Sequence, residues 1–164
     1  MYKLSLFVAL AAAAVLPLHA QNECKSAILQ QLKISRDFTL KVADAMPAAD
    51  YGFKMTPAQM SFGEQMVHLS QGLTYFLSPF KGEKPNPPKP ASMKKDDIVA
   101  FVRSAFDKAI ETVSALTPDQ LAKNYKDKSG DGLLIAMLEH TAHHRASAEM
   151  YLRLKGITPP EYMD

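Results

Sequence analysis

The chain has 164 residues, 47% hydrophobic and 22% charged, which suits one packed domain and argues against disorder. Basic and acidic residues nearly balance, 19 against 17, so nothing suggests the basic footprint of a nucleic-acid binder. A single cysteine, Cys24, excludes an internal disulfide and a four-cysteine zinc site.

The first predicted element is a leader. Lys3 supplies a short positive region, Leu4 to Leu16 is an apolar run of thirteen, and Pro17-Leu18-His19-Ala20 ends in a small residue. This pattern reads as a secretory signal peptide over residues 1–20, cut after Ala20, ahead of a domain over 21–164. Thirteen apolar residues are short for a bilayer span, so cleavage is preferred to a membrane anchor and no stable anchor is expected afterwards. The expected location is secreted or periplasmic. Loss of Lys3 leaves 18 basic against 17 acidic residues, a formal charge of +1, and loss of His19 leaves four histidines. Cys24, close to the new N-terminus, is read as a bystander.

Four segments then show helical periodicity, and none alternates convincingly as a strand. The first runs from about Asn22 to Ala45, with Ala27, Ile28, Leu32, Ile34, Phe38, Val42 and Met46 at three-to-four spacing and Pro47 as its stop. The second is expected to start at Thr56-Pro57-Ala58-Gln59, where Thr suits the N-cap, Pro the first helical position and Gln a capping box. It carries Phe62, Met66, Leu69, Leu73 and Phe76 on one stripe and stops before Pro79. Pro79 to Ala91 holds five of the eleven prolines and reads as a stiff surface connection. The lysines between Lys81 and Lys95 are read as solvated, not as a binding patch.

The third segment runs from about Lys94 to Leu116, with Asp96 and Asp97 in its first turn and Ile98, Val102, Ala105, Phe106, Ala109, Ile110 and Val113 as its core face. Thr117-Pro118-Asp119-Gln120 repeats the capping pattern for one short helical turn, and Lys123–Gly130 reads as loop. The fourth runs from about Asp131 to Lys155, with Gly156 as its C-cap and Pro159-Pro160 beyond. Four helices of about twenty residues predict an all-α, four-helix bundle. The proline-rich connection leaves the neighbour order open.

Three histidines fall within five residues of the fourth segment, His140, His143 and His144. With Leu133 at zero and ~100° per residue, His140 falls near ~340° and His144 near ~20°, in the middle of the apolar stripe with Met137 and Tyr151. His143 falls near ~280°, on the flank beside Glu139. Two imidazoles at i and i+4 can point at one ion. They can equally be neutral buried histidines bonded to backbone or to tyrosine hydroxyls. Thr141 stands where a zincin protease has its catalytic Glu, which disfavours that chemistry. A third ligand must come from elsewhere, and His68 is the histidine left. It falls near ~240° from Phe62, off the main stripe, and periodicity does not settle its direction.

The stretches Ser61–Leu77, "SFGEQMVHLSQGLTYFL", and His140–Tyr162, "HTAHHRASAEMYLRLKGITPPEY", resemble the DinB-like family. The resemblance spans the domain in helix order. It implies a four-helix bundle with a three-histidine metal site, one ligand from the second helix and two from the HxxxH of the fourth. These positions are His68, His140 and His144. The family commonly has Gly-Gln after His-Arg; here Ala146-Ser147 follows, which removes any pocket role of that Gln. The resemblance also implies frequent pairing as a homodimer, although no helical stripe is visibly left over for it.

Around this set, Glu64 lies one turn before His68, a candidate to orient an imidazole or a plain surface carboxylate. His143 is read as a flank residue, bonded or solvated, that could support the set, with a fourth ligand as the alternative. Arg145 is read as pairing with Glu149 one turn on, with an acidic group of a substrate as the alternative. Tyr75 and Tyr151 are candidates to line the cavity, with core packing as the default. The nine methionines read as core filler, not as copper ligands.

Three imidazoles leave open positions on an ion, the plan of a catalytic site. The expected cofactor is a divalent transition metal, zinc foremost, with nickel, manganese or iron as alternatives. The expectation is a metal-dependent hydrolase or transferase acting on a small molecule. The alternative is a non-catalytic module that holds a metal or small ligand. No catalytic residue beyond the metal is assigned.

Overall fold

The structure, a computed structural model, describes residues 2–162, with side chains from Glu23 onward. The expected leader, residues 1–20, therefore falls outside the described side chains. Five α-helices are described: α1 (Tyr2–Ala45), α2 (Phe62–Leu77), α3 (Lys95–Ala115), α4 (Pro118–Ala122) and α5 (Gly130–Leu154). Among the described residues, no helix is long and apolar enough to cross a membrane.

The four long helices form a ring in the order α1–α3–α2–α5. Consecutive helices α1 and α2 thus sit diagonally, as do α3 and α5, which explains the long connections between them. The core is one cluster. Ile28, Leu32, Phe38, Val42 and Met46 come from α1 and the residue after it; Phe62, Met66, Leu69 and Leu73 come from α2. Ile98, Val102, Phe106, Ala109 and Val113 come from α3, and Leu134, Met137, Tyr151 and Leu152 from α5. Each such large side chain contributes roughly 1.5–3 kcal/mol when fully buried.

Lysines fasten the ends of α1 and α3. Lys95 Nζ donates to the carbonyls of Asp44 and Met46 at 2.7 and 2.9 Å, where α1 ends. Lys25 Nζ donates to those of Ser114 and Leu116 at 2.8 and 2.7 Å, where α3 ends. A helix C-terminus leaves carbonyls without partners and carries partial negative charge, so an ammonium answers both needs.

Helix α1 is described as continuous from Tyr2, not from about Asn22; the other limits follow the expectations closely, with one displacement. The cap of α2 is Ser61, not Thr56. Ser61 Oγ accepts from Glu64 N at 3.2 Å, and Glu64 Oε2 accepts from Ser61 N, completing a capping box. Thr56 to Gln59 is a turn, closed by Gln59 N donating to Thr56 O at 3.1 Å. The tertiary acceptors decide the start. Phe62 N donates to Phe53 O at 3.0 Å and Gly63 N to Tyr51 O at 2.8 Å, so the first free N–H groups of α2 meet the preceding segment.

The stretch expected as loop between α4 and α5 holds a two-stranded ladder. β1 (Asn124–Tyr125) pairs antiparallel with β2 (Lys128–Ser129), in the register Asn124↔Ser129 and Tyr125↔Lys128. Two residues per strand are too few for alternation to register in a sequence. The capping box at Thr117 is present as expected, with Gln120 as its partner. Gly156 follows α5 at φ +72°, and Ile157 N donates to Leu152 O at 2.9 Å, a left-handed ending that favours glycine.

Candidate metal centre

The site lies where α2 and α5 face each other. On α2, Gln65, His68 and Gly72 are spaced three and four residues apart, so they share a face. On α5, His140 and His144 are one turn apart. Gln65 meets His144, and Gly72 meets His140, so the two helices run antiparallel through the site.

The three rings converge. His68 Nε2 lies 3.3 Å from His140 Nε2. The His68 ring centroid is 4.4 Å from that of His144, and the His140 and His144 centroids are 4.5 Å apart. One ligand nitrogen from each residue lies within 4.8 Å of the other two. Metal–nitrogen bonds of about 2.1 Å in a tetrahedral set place ligand nitrogens about 3.4 Å apart, so the His68–His140 pair already has the required edge. Periodicity left His68 undecided, and a helix that contacts two neighbours decides it: the edge of α2 that is off the core stripe is the edge that faces α5.

The histidines sit at the border of the core, not in the middle of the apolar stripe. The buried face of α5 centres on Leu134, Met137, Thr141, Arg145 and Ala148, and all three imidazoles are half-buried on its α2 side. Burial holds the His144 pKa down to about 4, aided by the neighbouring His140, His68 and His143. His140 is lowered by burial and then by His68 and His143. The two α5 imidazoles thus favour the neutral form, which keeps their lone pairs available.

His144 Nδ1–H donates to Gln65 Oε1 at 2.7 Å, which leaves Nε2 as the ring's free nitrogen. His140 Nδ1 is buried without a hydrogen-bond partner. It lies against Gly72, where a Cβ would stand 2.4 Å from His140 Cε1 and 2.5 Å from Nδ1. Glycine at 72 is therefore what lets this ring approach His68. Neither Gln65 nor Gly72 is singled out by sequence. Their spacing from His68 is the available signal, and it acquires meaning only with α5 opposite.

The residues expected around the set divide. Tyr75 is exposed and lines a cleft of about 390 Å³ beside the site, with Gln71, Phe76, Pro87, His68 and His140. His143 is exposed on the flank, its ring 4.9 Å from that of His144. Glu64 does not orient an imidazole. Its carboxylate closes the α2 cap and pairs with Lys54 at 3.2 Å, contacts that hold its pKa below the usual range.

Arg145 does not pair with Glu149, nor does it reach the cleft. It lies buried between α5 and α1, donates to Ser35 Oγ at 2.7 Å, and stacks 4.8 Å from the Phe38 ring centroid. Glu149 pairs with Arg153 at 3.8 Å. The reason is position: Arg145 falls at the centre of the buried face, opposite the small polar residues Ser35 and Thr39 of the α1 stripe. Tyr151 is a core residue, its hydroxyl donating to the Met60 carbonyl.

Solved structures of similar fold include two DinB-like proteins. A DinB-like protein of Bacillus subtilis superposes with a TM-score of 0.74 at 23% identity, over 84% of this chain and 99% of that one. A DinB-like protein of Bacillus cereus gives 0.72 at 18% identity, over 84% and 97%. A comparison with curated proteins gives no match. The model of the DinB family matches residues 20–163, and the chain belongs to the DinB family.

Proposed function

We propose that His68, His140 and His144 hold one divalent transition metal, zinc foremost, with nickel, manganese or iron as alternatives, and that the chain is an exported metal-dependent hydrolase or transferase. The observation that carries this reading is the convergence of three half-buried imidazole nitrogens from two helices within 4.8 Å. An ion held by three imidazoles supplies Lewis acidity at an open position. The chain's own residues prepare the place. Gln65 accepts from His144 and fixes its tautomer, Gly72 leaves room for His140, and burial favours the unprotonated form of both rings. The cleft along α2 gives a small molecule access to the same face. Export is supported by the apolar run before Ala20 and by a family match that starts at residue 20, leaving that run outside it.

A second reading, a non-catalytic binding module, is favoured by one observation. Among the described residues, the cleft lining offers no carboxylate or lysine to serve as acid or base beside the imidazoles.

Metal titration of untagged protein tests the shared premise. About one equivalent of zinc should bind, with His144→Ala weakening affinity at least ~100-fold and His143→Ala changing it less than about threefold. No uptake by the wild-type protein would sink both metal readings. Turnover of esters, amides or thiol–electrophile pairs that disappears in His144→Ala favours the enzyme; ligand binding without turnover favours the module.

A further inference from the structure

The cleft beside the three histidines has a chemical character of its own. One wall is aromatic and continuous. Tyr75 is 56% exposed and stands edge-on to Phe76 with centroids 5.4 Å apart. Phe76 in turn stands edge-on to the His140 ring at 5.6 Å. The wall therefore leads from solvent to an imidazole without a charged side chain. Pro87, from the connection between α2 and α3, lines the same cleft.

That connection is held in place from below. Gln71 Nε2 donates to the Pro88 carbonyl at 2.9 Å, so a residue on the histidine face of α2 grips the proline run. The grip uses one of the amide's two N–H donors and leaves the other, with the carbonyl oxygen, as neutral polar groups of the cleft. No charged residue of the same connection lines this cleft. Lys81, Glu83 and Lys89 line a different cavity, between α2 and α3. A charged ligand in the histidine cleft would lose water and meet no counter-charge from these walls.

We infer that this cleft selects an uncharged substrate bearing a flat apolar group, held by Tyr75 and Pro87, with its polar reacting end toward the imidazoles. Tyr75 and Gln71 set the selection, Tyr75 by presenting the face and Gln71 by fixing the segment that carries Pro87. The position of the reacting end rests on the metal reading above; the character of the walls does not.

Three probes of nearly one shape separate these effects: benzamide, benzoate and benzamidinium, with acetamide as a ringless control. Binding is followed by ligand-observed NMR on the metal-free protein and again after zinc addition. On the metal-free protein, benzamide should bind about tenfold tighter than either charged isostere, since only they carry an unpaired charge into the cleft. Acetamide should not bind. Tyr75→Ala, an exposed position whose loss leaves the core intact, should weaken benzamide about fivefold, as should Gln71→Ala. Charged isosteres that bind as tightly as benzamide, or a Tyr75→Ala variant that keeps full affinity, would overturn the inference. Zinc uptake without the neutral-ring preference sinks this inference alone, and the preference without zinc uptake sinks the metal reading alone.

Discussion

Gly72 shows how a residue without a side chain can decide a site. His140 and His144 hold their spacing by belonging to one helix, but the reach to His68 depends on how closely α5 approaches α2. The His140 ring lies where a Cβ at 72 would be, 2.4 Å from its nearest ring atom. An added methyl must therefore move the ring or part the helices. Gly72→Ala should lower zinc affinity by ~10–100-fold and cost about 1–3 kcal/mol of stability, read by metal competition and urea melts. Unchanged affinity would mean that His140 does not use this position when it binds. The HxxxH pair was legible in the sequence because its spacing is local. Gln65 and Gly72 were not, because what they do depends on residues about seventy to eighty positions away.

At the scale of elements, capping shows where local signals mislead. Thr56-Pro57-Ala58-Gln59 has the composition of a helix start, and so does Ser61-Phe62-Gly63-Glu64. The second begins α2 because the carbonyls of Tyr51 and Phe53 accept its first N–H groups, an arrangement made only by folding. Ser61→Ala should therefore cost about 1 kcal/mol in denaturant midpoint experiments, and Thr56→Ala only a few tenths. Equal losses would contradict the assignment of the cap. Arg145 teaches the same lesson. Its sequence neighbour Glu149 offered an intrahelical pair, yet the buried face of α5 carries it to Ser35 and Phe38 on α1. The four long helices themselves were readable from three-to-four spacing and proline stops. Their ring order was not, since long connections permit several.

For the molecule as a whole, the imidazole cluster links stability to acidity. The folded pKa of His144 lies near 4, below its ordinary value of 6.5, and His140 is lowered as well. Between those values the unfolded chain binds more protons than the folded one, so stability is fully present above about pH 6.5 and falls as the pH drops toward 4. Urea midpoints of metal-free protein at pH 7.5 and 4.5 should show this loss, and a His140→Gln/His144→Gln variant should lose less over the same interval. An identical slope in both would assign the loss to carboxylates. The connection between α2 and α3 has a different bearing on the whole. Every residue from Gly82 to Lys94 is exposed or half-buried, and the stretch nonetheless supplies Pro87 to the cleft. One part of the cleft lining thus comes from a segment separable from the scaffold, while Gln71, Tyr75 and Phe76 belong to α2 itself. Grafting a foreign segment there should retarget what enters while the melting temperature stays put, a division of labour that lets one bundle be retooled by exchanging a single surface strap.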